Sequence, residues 1–352
     1  MTLARTALTP RDETVRIEPP EGFALRHGGV LPYVDIACSM YGRTADEAPV
    51  VLVCHALTGS SRAAEWWGDL IGSGLLLDTD RYCVACCNAL GGCYGSTGPA
   101  SLAPDGVRWG RRFPVVTVED MVRAQHDTLR RLGVNRIAVA IGGSLGGMQA
   151  LQWGAAYPSA VSGVVSVGAT GRMSPMAIGL NSAARAAVRI EGRAGLRVAR
   201  MIGMLSYKSA ALLWQRHGRR GNRGAEDPGS ALDARFDVEG YLEHQGDKLA
   251  ARLDPDSFLY LTKAMDLFDL DPAGWRVPAL LVGISSDWLY PVEEVKATAA
   301  SLGPSADYVE FQSDHGHDGF LADAAQLSAI VRPFLEERAL DDAAAGQKVD
   351  DD

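Results

Sequence analysis

Short uninterrupted apolar runs alternate with stretches of helical spacing through the first half of the chain. PVVLVC (49–54), RYCVACC (81–87), IAVAI (137–141) and VSGVVSVGA (161–169) are too short for helices and too apolar for half-exposed strands. They predict buried strands. Residues 116–132 carry apolar positions at helical spacing, with Thr117 at the N-cap and Glu119 and Asp120 in the first turn. Upstream, residues 23–41 read as two strands joined by a Gly-Gly turn, and residues 1–15 as a frayed end. Strands alternating with helices imply parallel βαβ units and an open, doubly wound, mostly parallel sheet, in which ligands bind at the carboxyl ends of the strands.

From 172 to 270 the pattern changes. Val-rich runs stop, Ala, Leu, Met and Arg recur at helical spacing, and a polar stretch (218–237) interrupts them. This predicts an inserted helical lid with one mobile loop. Strand patterns return in ALLVGI (279–284) and ADYVEF (306–311), followed by a final helix over 320–337. The expected organisation is a sheet-and-helix core from 1–171 and 271–338, a lid over 172–270, and a disordered acidic tail over 339–352.

The richest stretch joins a strand to a helix. IAVAI runs into Gly142-Gly143-Ser144-Leu145-Gly146-Gly147, and an Ala/Leu/Met/Trp helix follows. A G-x-S-x-G turn between strand and helix places its serine on strained backbone, and only small flanking residues let the helix return so close to the strand. The hydroxyl is then lifted above the sheet edge, and the N–H groups after it, at the positive end of a helix, face any oxyanion formed there. Ser144 is therefore the candidate nucleophile.

Composition narrows the partners. The formal net charge of −9 excludes the concentrated positive charge that nucleic acids or anionic membrane surfaces require. Arginines do gather between 185 and 223, interleaved with apolar residues as on a solvated helix face. No apolar run reaches transmembrane length and no secretory signal opens the sequence, so a cytoplasmic protein is expected. Six cysteines include the Cys83-x-x-Cys86 pair, but these lie in a strand pattern with no second ligand pair at zinc spacing. Buried reduced thiols and no metal site are the expectation.

A serine hydroxyl needs a positioned base, and the base needs a group that fixes its tautomer. In α/β-hydrolases the three arrive in the order serine, acid, histidine. Asp287 follows ALLVGI in the loop SSDWLYP, and a histidine, His315 or His317, follows DYVEF in QSDHGHDGF. All three loops fall at the carboxyl edge of the predicted sheet.

HALTG (55–59), DTDRY (78–82), NALGGCYGSTGP (88–99), GGSLGGMQAL (142–151), SYKS (206–209), SDWLYP (286–291) and GHDGFL (316–321) together resemble the homoserine O-acetyltransferase family of α/β-hydrolases over about residues 31–335. The resemblance implies an α/β-hydrolase core with a helical lid and a triad of Ser144, Asp287 and His317. It also implies an oxyanion hole from the backbone N–H groups of Leu57 and Leu145. Arg200, Tyr207 and Asp318 would contact an amino-acid acceptor. Charge pairing fits that role: a guanidinium suits the carboxylate and a carboxylate the ammonium, and Arg200 and Tyr207, seven apart, share a helix face. The implied reaction is acetyl transfer from acetyl-CoA, as co-substrate with no bound cofactor, to L-homoserine through an acyl-serine. The implied assembly is a homodimer through lid helices. The chain departs from the family pattern in two places: a shortened segment between Ala187 and Arg200, and Arg62 and Glu65 where histidine and a small residue are usual. A shortened lid would widen the tunnel to the serine, so a serine esterase releasing acetate from small esters is the alternative reading, with serine as acceptor or a succinyl donor as further variants.

Overall fold

The structure, a computed structural model, describes residues 8–347. Ten strands are formed: β1 (Arg11–Ile17), β2 (Phe23–Ala24), β3 (Val30–Leu31), β4 (Val34–Gly42), β5 (Val50–Cys54), β6 (Cys83–Cys87), β7 (Val139–Gly143), β8 (Val164–Val167), β9 (Ala279–Ile284) and β10 (Ala306–Phe311). Eight of them make one sheet in the order β1-β4-β6-β5-β7-β8-β9-β10. β1–β4 and β4–β6 pair antiparallel, and every pair from β6 to β10 is parallel. The predicted opening hairpin shrinks to the two-residue pairing of β2 with β3, and β4 joins the main sheet instead.

Helices cover both faces, which is why the central strands are apolar on both sides. On one face lie α2 (Val118–Arg131), α3 (Leu145–Ala156) and α9 (Val292–Leu302); on the other lie α1 (Ala63–Trp66) and α11 (Ala324–Gln347), preceded by the single turn α10 (Gly319–Ala322). Thr117 caps α2 as predicted: its side chain accepts the Asp120 N–H while the Asp120 carboxylate accepts the Thr117 N–H. Strand alternation sends Cys83 and Cys87 into one core and Cys86 into the other. Cys83 and Cys86 thus sit on opposite sheet faces and cannot chelate one ion.

Between β8 and β9 the chain leaves the sheet as α4 (Pro175–Glu191), α5 (Arg193–Tyr207), α6 (Ala210–His217), α7 (Asp237–Ala250) and α8 (Pro255–Asp266). The excursion is pinched at its neck by an antiparallel bridge between Arg172 and Asp269 and by the Leu270 N–H bonding the Gly171 carbonyl at 2.7 Å. Side-chain caps start several lid helices: Ser174 before Pro175, Ser209, and Asp254 before Pro255. The polar stretch predicted as a mobile loop holds a bridge between Gly221 and Phe236 and an Arg235–Glu226 ion pair at 2.8 Å.

Two expectations at the chain ends are corrected. Residues 11–15 belong to β1, whose register on β4 runs from Arg11–Met40 to Ile17–Val34; residues 1–7 lie outside the described residues. The expected tail over 339–352 is helical as far as Gln347, because Ala339 packs into the core and Asp342 accepts from Arg136 at 2.9 Å and Ser162 at 3.0 Å. Residues 348–352 of that tail lie outside the described residues. Among the described residues, no helix is long and apolar enough to cross a membrane.

Candidate active site

Ser144 stands between β7 and α3 with φ 59° and ψ −127°, a backbone state that side-chain-bearing residues avoid. Its N–H is tied to the Val167 carbonyl at 3.0 Å, so the neighbouring strand holds the strained turn in place. The flanking glycines are sterically required. A Cβ on Gly142 would strike the Gly146 and Cys54 carbonyl groups, and one on Gly146 would strike the Cys54 carbonyl.

His317 and Asp287, the candidate base and its orienting acid, are both buried. His317 Nδ1 bonds Asp287 Oδ2 at 2.7 Å, and Asp287 Oδ1 accepts the N–H groups of Leu289 at 2.9 Å and Tyr290 at 3.0 Å. These bonds leave the carboxylate with one orientation and the imidazole with Nε2 facing away from it. Burial works against the imidazolium, but the Asp287 charge and hydrogen bond, with help from the Asp318 charge, outweigh it and raise the His317 pKa above its ordinary value. Nε2 is buried with no hydrogen-bond partner among the described residues. His315 instead faces Asp323 at 4.0 Å, half-buried and outside this arrangement.

Leu57 and Leu145 both carry N–H groups without a hydrogen-bond partner among the described residues. Leu145 N–H is free because it opens α3. Leu57 sits in a turn, 56–59, closed by the Gly59 N–H on the Ala56 carbonyl at 2.9 Å. A buried polar chain supports that turn: Trp153 donates to Gln125 at 3.0 Å, Gln125 to Gln149 at 2.6 Å, and Gln149 to the His55 carbonyl at 3.0 Å. His55 Nε2 accepts the Ala89 N–H at 2.9 Å, so Nδ1 carries the proton toward the Ala56 carbonyl at 2.8 Å. Burial lowers the His55 pKa and keeps the ring neutral. His55 and Gln149 fall within the HALTG and GGSLGGMQAL segments, but nothing in the sequence links them to each other or to Gln125 and Trp153.

A narrow cavity of ≈ 30 Å³ joins these parts: Leu57, Ser144 and Tyr290 line it from the core, and Asn181, Arg200 and Tyr207 from the lid. The shortened α4–α5 connection is a tight one. Gly192, at φ 53°, ends one helix and starts the next, and at Gly195 a Cβ would strike the Ala187 carbonyl, so the two helices meet backbone to backbone.

Arg200 lies over the Tyr207 ring at 5.5 Å, as expected for two residues on one helix face. Tyr207 is 5.5 Å from the His317 ring. Tyr290, fully buried, packs 5.1 Å from the same ring, shares a hydrogen bond with Ser144 and donates to Met173 Sδ at 3.2 Å. Asp318 is already engaged, its Oδ2 paired with Lys208 Nζ at 2.8 Å. Neither Tyr290 nor Lys208 is a residue that spacing singles out.

The basic stretch of the lid divides by partner rather than forming one patch. Arg185 is buried on Asp266, Arg197 pairs with Asp247, and Arg200 has no carboxylate partner among the described residues. Arg62, outside the cavity, pairs with Asp12 at 2.6 Å.

Residues 49–324 match the family model of the alpha/beta hydrolase fold. A homoserine O-acetyltransferase of Symbiobacterium thermophilum is 42% identical over 92% of this chain and 94% of its own length. The crystal structure of homoserine O-acetyltransferase from Bacillus anthracis aligns with a TM-score of 0.84 at 22% identity, over 93% of this chain and 97% of that one. That of esterase E22 aligns with a TM-score of 0.83 at 23% identity, over 92% and 100%. At such identities the two structures speak for the fold.

Proposed function

The chain belongs to the homoserine O-acetyltransferase family of the α/β-hydrolase fold, and from that premise we propose that it moves an acetyl group from acetyl-CoA to the hydroxyl of L-homoserine through an acyl-Ser144 intermediate. His317 Nε2 takes the Ser144 proton as Oγ attacks the thioester carbonyl. The N–H groups of Leu57 and Leu145 hold the oxyanion, each worth roughly 3 to 4 kcal/mol in such sites. The tetrahedral species collapses, the C–S bond breaks, and His317 returns the proton to the CoA sulfur. In the second half the homoserine hydroxyl gives its proton to His317, attacks the acyl carbon, and Ser144 leaves with that proton.

The observation that carries this reading is that Arg200 and Tyr207 line the same cavity as Ser144. An unpaired guanidinium beside a nucleophile suits a carboxylate-bearing acceptor, and Asp318, with Oδ1 remaining, suits its ammonium. The same reading carries a cytoplasmic location and a homodimer; the exposed lid residues Ile190, Leu205 and Trp214 support the dimer, which sedimentation measures directly.

Single-turnover kinetics test the proposal. Acetyl-CoA should release one thiol per active site and leave an acetyl group on Ser144, and homoserine should speed its loss well beyond the rate with water. Ser144→Ala should form no acyl-enzyme, a loss on the order of 10⁶ in kcat. Decay at one rate with and without saturating homoserine or serine would make the protein an esterase, and faster acylation by succinyl-CoA would change the donor.

A further inference from the structure

The turn that carries Leu57 is held from inside by the buried chain ending at the His55 carbonyl. It is also held from outside by the lid. Arg252, in the connection between α7 and α8, donates through Nη1 to the Thr58 carbonyl at 2.7 Å and to the Tyr94 hydroxyl at 2.8 Å. Its own backbone is fixed. The Arg252 and Leu253 N–H groups both bond the Leu249 carbonyl, at 3.0 and 2.9 Å, Leu253 is buried, and Asp254 caps α8. Tyr94 is fixed in turn, because its carbonyl accepts from Asn88, whose Oδ1 also takes the Ser61 N–H at 2.7 Å. The guanidinium therefore joins three anchored pieces: the lid connection, the 88–94 loop and the turn.

We infer that Arg252 is a positioning residue for acyl transfer, holding the Leu57 N–H in register for the oxyanion from across the core–lid junction. Thr58 is the third residue of the four-residue turn, and its carbonyl belongs to the peptide that closes the turn onto Ala56. The Ala56 carbonyl shares its peptide with the Leu57 N–H, so rotation of the 58–59 peptide is passed to that N–H through the Gly59–Ala56 bond, and a charge-assisted bond to the Thr58 carbonyl resists the rotation. Oxyanion donors act by being fixed before charge develops, so loosening one raises the barrier without weakening ground-state binding. Because the same oxyanion forms in both halves of a ping-pong reaction, the effect falls on both. The inference rests on serine acyl chemistry at this site but not on the identity of the acceptor.

The test is Arg252→Ala in the full-length protein, with acylation and deacylation each measured in single turnovers, using acetyl-CoA with homoserine and, separately, p-nitrophenyl acetate with water. Both steps should slow by the same factor, roughly 10- to 100-fold, less than the 10²–10³ lost with a whole oxyanion donor. The KM for homoserine should stay within about twofold, since Arg252 makes no contact with the acceptor in this reading. Arg252→Lys should recover part of the rate, and free guanidinium should restore the alanine variant. Inhibition by a small trifluoromethyl ketone, whose hemiketal alkoxide occupies the oxyanion hole, should weaken by the same factor as the rates. Unchanged rates, or a loss confined to the homoserine step with a raised KM, would overturn the inference. If Arg252→Ala does not fold, Arg252→Lys and Arg252→Gln carry the comparison, and equal rates in all three proteins overturn it. A wild-type enzyme inert toward acetyl-CoA but active on the ester would defeat the proposed function and leave this test intact.

Discussion

Asp287 decides whether His317 can carry a proton inside the protein. Burial by itself favours the neutral ring, and the raised pKa of His317 depends on the carboxylate 2.7 Å away. The base is the neutral form, so acylation should rise with pH through that raised value, with its acid limb above the ordinary 6.5. Asp287→Asn keeps the shape, removes the charge and favours the wrong tautomer. Turnover should fall about 10⁴-fold, and the residual acid limb should move down in pH, because burial then acts without its counterweight. The profile of kcat/KM for p-nitrophenyl acetate reads both effects, and a wild-type limb at or below 6.5 would contradict the first. Asp314→Asn should leave rate and profile nearly unchanged, since among the described residues only the Asp314 backbone carbonyl is engaged, by Ser209 at 2.5 Å. Ser144, Asp287 and a histidine of the 312–320 loop were legible in the sequence because each follows a strand pattern in a short loop. Arg252 and Lys208 were not, because their placement depends on how the lid meets the core, which no local pattern encodes, and Tyr290 was not, because a tyrosine in the Asp287 loop reads locally as core packing.

At the scale of elements, the lid is fastened internally by an ion pair that spans it. Arg185 on α4 meets Asp266 on α8 at 2.5 Å with 8% and 5% of the side chains exposed, and Asn181 donates to the other Asp266 oxygen at 2.8 Å. Removing one partner of a buried pair leaves the other charge without compensation, typically at 3 to 5 kcal/mol. Arg185→Met should therefore destabilise the fold by about that amount in denaturant titration. It should also raise the acceptor KM, because Asn181 lines the cavity. Arg185→Met combined with Asp266→Leu should recover most of the stability, and a double variant no better than the single would show that the pair is not the fastening element. The element pattern itself was readable where burial is two-sided: β5 and β9 begin and end within a residue of their apolar runs. It misled at the ends of the chain. There β1 is mostly exposed on an edge and Asp341-Asp342 interrupts the apolar pattern of α11, so both depend on tertiary partners, β4 for one and Arg136 with Ser162 for the other.

The whole molecule consists of a sheet that carries the candidate triad and a lid that leaves it through one neck and returns to it at separate points. Lys208 reaches Asp318 beside the base, the Ser209 hydroxyl reaches the Asp314 carbonyl, and Arg252 reaches the oxyanion turn. Water outnumbers any amino acid, so an acyl-enzyme survives long enough for transfer only if the lid keeps water out and holds the acceptor hydroxyl near the acyl carbon. In the proposed reaction the second task would fall to Arg200, which lines the cavity from the lid while Ser144 lines it from the core. Acylation of Ser144 makes no use of an acceptor carboxylate. Arg200→Ala should therefore leave thiol release from acetyl-CoA within a few-fold of the native rate. The homoserine-dependent step should lose about 2 to 5 kcal/mol of transition-state binding, the range for truncating one partner of a desolvated charge pair. The acyl-enzyme would then partition toward acetate. Quantifying acetate and O-acetylhomoserine from one pre-acylated sample decides the matter. If the product ratio is the same in Arg200→Ala as in the native enzyme, the guanidinium does not bind the acceptor, and its place over Tyr207 is a packing contact within α5.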